Sequence, residues 1–349
     1  GLVSATVGFS APAVLAAMAL GSYLPAVFPS FEPMWVATLC ILFFHGLHGQ
    51  KLRWGKLFQD WSTVVKVGLI LLFIAAGLLT ADSQAISILP QAGDGQLLRS
   101  SGYAVSLVWV SYAYTGWNST VYIAGEMIHP QRDIPRSILL STIFVMVLYV
   151  LLNFVFLYTT PRTAMVEEIE IGYIAGQYIF GASGAKIFAL GISILLVSTV
   201  SSYVYIGPRI MQTMGQDYSY ISFLSKTNDQ GIPVNAFLLQ LLICLAFIFS
   251  SSFEQVLLYA GIVLIFTTTI TAAAVFVLRY KEPDLPRPYN TWGYPWTPLI
   301  FIIVNLWILY YTFWERTMES IIGIGIIAVS LGLWFLGKQY EHKRQGSIS

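Results

Sequence analysis

The sequence predicts an all-α integral membrane protein with about ten transmembrane helices, and three observations predict it. Charged residues are 10% of the 349-residue chain and apolar residues 56%, whereas a soluble chain of this length needs far more charge to cover its surface. Uncharged apolar runs recur along the whole length, each near the roughly 20 residues that a hydrocarbon core requires of a helix. The lysines and arginines also sort unevenly once these runs are taken as membrane crossings.

In chain order the runs cover residues 3–24, 33–48, 61–80, 103–124, 138–158, 187–206, 234–249, 256–278, 298–313 and 321–335. The first is rich in Gly, Ala and Ser and reads as a tightly packed scaffold helix, whose stretch 11–21 could touch a substrate. The second ends with His45 and His48, three apart, a spacing that could seat a metal were other ligands near; no Cys or carboxylate accompanies them, and no metal is expected. The third holds Lys66, about 9 Å of helix rise beyond Asp60. Asp133 and Pro135 read as start signals for the fifth. The loop before the sixth carries Glu167, Glu168 and Glu170, a solvated face. The sixth carries Ser198, Ser201 and Ser202 at helical spacing.

Of the eighteen basic residues, only Arg99, Arg162, Lys186 and Arg316 fall on one side of a ten-span arrangement, leaving fourteen on the other. That bias places both chain ends in the cytoplasm and tests the span count, because a split or merged span would scramble it downstream. Cys40 and Cys244 lie inside apolar runs, where a structural disulfide has little reason to form. The sequon Asn118-Ser119-Thr120 falls within the fourth run, out of reach of glycosylation. The first run begins without a charged leader or cleavage site, so it does not read as a signal peptide, and the chain looks cut at its start.

The densest chemistry is in the fourth run, where SYAYTGWNST (Ser111 to Thr120) places Ser, Thr, Asn, Gly and large aromatics in the middle of an apolar stretch. Gly116 beside Thr115 and Asn118 can let the helix unwind, which at membrane depth is tolerated only against protein or a water-filled cavity. The same residues also suit a close helix-packing face, and periodicity leaves both readings open. Lys66 is a functional candidate because intramembrane charge is costly, though position alone favours its long stem snorkelling to the surface. The three serines can offer hydroxyls to such an ammonium or bond back to their own helix. Glu126 and Glu254 lie near span ends, and no carboxylate lies deeper, which disfavours a carboxylate proton relay and cationic substrates.

SYAYTGWNST continued as VYIAGEMIHPQRDIPRSI is similar to the sixth helix of the amino acid-polyamine-organocation superfamily, especially its L-type amino acid transporter branch. GPRIMQTMGQD from Gly207 resembles the end of that family's helix eight, and LRYKEPDLPRPYNTWGYPWTP (278–298) resembles its loop between helices ten and eleven. The resemblance implies a five-plus-five inverted-repeat, leucine-transporter-like fold in which residue 1 falls near the start of the third helix, so that the first two helices are lacking. Residues 1–80 would then be the remnant of the first repeat, 103–279 the second repeat, 297–336 two appended helices and 337–349 a cytoplasmic tail, all within one transmembrane domain.

The resemblance also implies roles. Carbonyls of Tyr112, Ala113, Tyr114 and Thr115 would face a substrate ammonium; Tyr112 would take an aromatic gate position usually held by Phe; Gly116 would lie at the break, with Trp117 and Asn118 opening the inner half-helix. Lys66 would stand where sodium sits in related transporters, the ammonium to which Ser198, Ser201 and Ser202, by their spacing, can offer hydroxyls. The stretch 172–184 would act as an external lid.

The expected function is amino acid transport by alternating access in the plasma membrane, with neutral substrates and either sodium-independent exchange or proton-coupled symport. The expected partners are the amino acid and the bilayer, with no cofactor and no nucleic acid. A membrane-embedded enzyme is disfavoured by the lack of paired carboxylates or an activated nucleophile at span depth, and a channel by the lack of a repeated filter. The competing reading is a non-transporting truncated membrane protein or a partner-dependent subunit.

Overall fold

Backbone groups in hydrocarbon must satisfy one another, and a helix does so within a single segment. The computed structural model describes all residues except 1, 50–54, 81–82, 88, 118, 123, 125–126, 288 and 347–349. The described residues form helices without a strand: α1 (Leu2–Val27), α2 (Pro33–His48), α3 (Gly55–Leu78), α4 (Asp94–Leu97), α5 (Ser101–Ala113), α6 (Ser119–Tyr122), α7 (Pro130–Thr159), α8 (Arg162–Met165) and α9 (Ile171–Asp217). A 3-10 helix at Ser219–Ser225 precedes α10 (Val234–Ser250), α11 (Phe253–Lys281), α12 (Trp296–Glu315) and α13 (Thr317–Gly346).

Among the described residues, seven helices are long and apolar enough to cross a membrane: α1, α3, α7, α9, α11, α12 and α13. The apolar helices α2 and α10 are shorter, and the fourth run is interrupted between α5 and α6. The protein is therefore an all-α, multi-pass membrane protein, and the ten runs map onto these elements in order. Boundaries move in three places. Helix α7 begins at Pro130, one turn before the signals expected at Asp133 and Pro135, so Pro135 lies inside the helix. The apolar stretch after Glu170 is helical and runs into the sixth span, with a kink at Gly181 (φ 71°, ψ 176°). Helix α13 continues to Gly346, so most of the stretch expected as a tail is helical.

Local sequence accounts for the starts of two helices. The Glu32 carboxylate accepts from Trp35 N–H at 3.2 Å with Pro33 in the first turn of α2, and Ser100 Oγ accepts from Tyr103 N–H at 3.2 Å at the head of α5. At the entry to α9, burial pushes the Glu170 carboxyl above the usual carboxylate range; its own backbone N–H pulls the other way, and Glu168 adds to the rise.

The chain forms two compact units: residues 1–87, 151–256 and 326–349 make the first, and 88–150 and 257–325 the second. In the first, α1 packs against α9, α2 and α10, with Ala11, Ala13, Val14 and Ala17 fully buried, which makes α1 the scaffold helix its small residues foretell. Phe73 of α3 meets Phe156, Phe180 and Phe188 at ring-centroid distances of 5.5, 5.9 and 4.6 Å. Close by, Gly77 lies so near Val155 that an added Cβ would come within 2.3 Å of its Cγ1.

In the second unit Val105 and Val108 of α5 pack with Leu258 and Ile265 of α11 and Ile308 of α12. The loop after α11 is knotted by Arg287, which donates to the carbonyls of Pro283, Leu285 and Glu282 at 2.8, 3.0 and 2.6 Å. That use of one guanidinium gives the loop sequence around Arg287 a structural reason.

Candidate functional site

The fourth run ends its first helix at Ala113, and four turn residues, Tyr114 to Trp117, follow. Gly116 takes φ +98°, a conformation that costs an L side chain roughly 1–2 kcal/mol and glycine almost nothing. The helix therefore unwinds here, and the packing-face alternative gives way. Helix resumes at Ser119, and α6 is described over Ser119–Tyr122. Asn118 lies outside the described residues, as does Glu126.

A helix end leaves carbonyls without intrahelical donors. Here the Tyr112 carbonyl accepts from Thr115 N–H at 3.0 Å, and the Ala113 carbonyl accepts from the Tyr149 hydroxyl of α7 at 3.1 Å. These carbonyls belong to the negative dipole end of α5. Tyr149 also meets the Tyr114 ring edge-on at 5.3 Å. Sequence reading missed Tyr149, whose partner lies 36 residues away. Trp117 is 46% exposed, while Tyr112, Tyr114 and Thr115 are half-buried.

Lys66 lies in the first unit, and its ammonium does not snorkel away from protein: Nζ donates to Thr199 Oγ1 at 3.0 Å. It opens on a cavity of about 330 Å³ whose other walls include Tyr23, Phe73, Phe156 and Phe188. Tyr23 closes the cavity at α1, its hydroxyl accepting from Gly172 N–H at 3.0 Å. The hydroxyl that meets the ammonium is thus Thr199's, and the three serines named from spacing turn elsewhere. Ser198 pairs with Ser62 at 2.6 Å, Ser201 with His48 Nε2 at 2.9 Å, and Ser202 donates to the Ser198 carbonyl at 2.8 Å. The two histidines diverge in the same way, His45 Nδ1 lying 2.8 Å from the Ile41 carbonyl of its own helix.

These features define a multi-pass helical membrane protein with an unwound span and an intramembrane ammonium. A sequence profile of the amino acid permease family matches residues 2–338, and the chain belongs to that family. It is 23% identical over 312 residues to the Large neutral amino acids transporter small subunit 2 of Mus musculus, covering 88% of this chain and 58% of that protein. It is 26% identical over 256 residues to Solute carrier family 7 member 12 of Mus musculus, covering 72% and 54%. The Serine/threonine exchanger SteT of Bacillus subtilis is 23% identical over 331 residues, covering 92% of this chain and 74% of that protein. The chain spans somewhat more than half the length of the mammalian relatives it matches. These relatives are transporters, not enzymes.

Proposed function

We propose that this protein carries neutral amino acids across the plasma membrane by alternating access, without sodium, as an exchanger or a proton-coupled symporter. Both chain ends face the cytoplasm in this reading, as the sorting of basic residues favours. The observation that carries it is the interruption at Ala113 to Gly116, where backbone carbonyls collect at the end of α5 inside an apolar span. Unwound backbone at that depth is tolerated against protein or a water-filled cavity, and an α-ammonium group suits a negative helix end. Tyr112, Ala113, Tyr114 and Thr115 supply the carbonyls, and Gly116, Trp117 and Asn118 complete the substrate site in this reading. Lys66 replaces sodium as the coupling charge, with Thr199 beside it and Ser198, Ser201 and Ser202 shaping the same stretch of α9. The names of the relatives, a large neutral amino acid transporter and a serine/threonine exchanger, support uncharged substrates.

The test is uptake and counterflow of labelled neutral amino acids in proteoliposomes, with and without sodium. Counterflow that is saturable and indifferent to sodium is expected, and Lys66→Ala abolishes it. Absence of counterflow for every neutral amino acid would sink the assignment.

A further inference from the structure

The polar contacts around Lys66 do not stop at Thr199. One turn earlier on α3, Ser62 meets Ser198 at 2.6 Å, and one turn further along α9, Ser201 meets His48 Nε2 at 2.9 Å. The His48 ring lies 5.4 Å from the Tyr205 ring, over which the Arg209 guanidinium sits at 3.5 Å. Positions 198, 201, 205 and 209 recur at helical spacing, so α9 carries a polar stripe about 16 Å long at 1.5 Å rise per residue. It runs from the level of the lysine to His48, the last residue of α2. Apolar side chains would fill such helix contacts without the cost of placing hydroxyls and an imidazole in hydrocarbon.

We propose that this stripe is the route by which Lys66 exchanges its proton with the aqueous phase at the C-terminal end of α2, and that His48 is the outer proton acceptor. The proposal rests on the proton-coupled form of the proposed function, with Lys66 as the coupling charge releasing and regaining a proton in each cycle. In the forward step an N–H bond of the Lys66 ammonium breaks and an N–H bond forms at Nε2 of neutral His48. The hydroxyls between them each accept one proton and donate another, and no electron is transferred. His48 then gives up its proton to water. Ser201 and Ser198 lie one turn apart on α9, and Ser62 and Lys66 one turn apart on α3, with about 5–6 Å between Cβ atoms, and the route requires a water to complete each of these two steps. The groups that face His48 are Ser201, Tyr205 and Arg209 from α9 and Phe44 and His45 from its own helix, with Arg209 and His45 acting on it electrostatically. Lys51 and Arg53 lie outside the described residues.

The experiment reconstitutes the wild-type chain, His48→Gln and Ser62→Ala with a pH-sensitive dye trapped in the vesicles. It reads counterflow at equal pH and, separately, uptake and proton flux under an imposed pH gradient. Both variants are expected to keep counterflow near wild type and to lose about a hundredfold in proton flux, the scale of a positioned proton-transfer group. Wild-type proton flux in His48→Gln overturns the proposal. If that variant fails in counterflow too, Ser62→Ala decides on the same readouts: loss of flux alone upholds the route and intact flux overturns it. A wild-type chain that exchanges amino acids without moving protons overturns the proton-coupled reading and the route with it. A wild-type chain that carries no amino acid overturns the proposed function itself, a separate result.

Discussion

The Thr199 hydroxyl oxygen accepts from the Lys66 ammonium at 3.0 Å and donates its own O–H to the Leu195 carbonyl, also at 3.0 Å. Its lone pairs therefore face the ammonium, and the roles of donor and acceptor are fixed by the helix beneath. Thr199→Val keeps the shape and removes the acceptor. A hydrogen bond to a charged group is worth about 1.5–3 kcal/mol, so initial exchange rates should fall by roughly tenfold to a hundredfold, with Thr199→Ser close to wild type. Unchanged exchange in the valine variant would reduce Thr199 to packing.

Tyr149→Phe removes the donor to the Ala113 carbonyl while keeping the ring against Tyr114. The lost bond is worth about 1 kcal/mol, and the apparent KM for a neutral amino acid should change by roughly fivefold at unchanged protein yield. A KM equal to wild type would show that the bond does not hold the break in its working form.

At Gly116 a methyl group would meet open space, so any effect of Gly116→Ala comes from its φ of +98° and not from a clash. Strain of about 1–2 kcal/mol should depress transport, whereas Gly102→Ala, also in open space but within α5, leaves transport unchanged. Equal behaviour of the two alanines would refute a conformational role for Gly116.

Gly77 and Gly68 lie on the same helix and should respond with opposite signs. An added Cβ at Gly77 would press within 2.3 Å of Val155 Cγ1, on a β-branched side chain with little rotamer freedom. Gly77→Ala should lower stability by about 1–3 kcal/mol, seen as a reduced Tm in detergent, and Val155→Ala should partly restore it. Gly68 meets nothing within 4 Å, and its alanine variant should gain up to about 1 kcal/mol from helix propensity. Additive effects of Gly77→Ala and Val155→Ala would contradict direct contact.

The membrane fold was legible because hydrocarbon imposes a period-free requirement, a long apolar run, that composition alone reveals. The break was legible only with the family resemblance, because Gly beside polar residues in such a run suits a packing face as well as an unwound helix. What escaped the sequence depends on direction. Ser198, Ser201 and Ser202 share helical spacing, but successive residues differ by about 100° around a helix, so spacing cannot tell which of 198 and 199 meets the ammonium. The structure gives the lysine to Thr199. Tyr149 escaped because nothing local in α7 signals an acceptor on α5. The end of α13 escaped because hydropathy falls at Lys338 while the backbone stays helical.

A rod cannot be twisted at one point only. Past Gly181, α9 keeps helical backbone to Asp217, and along that length Ser198, Thr199 and Ser201 seat against Ser62, Lys66 and His48. A turn about the helix axis that lifts Thr199 off the lysine therefore unseats the other two contacts in the same motion. The condition of one side chain in α3 is thereby felt at the end of α2 as torque, carried by the stiffness of a single helix.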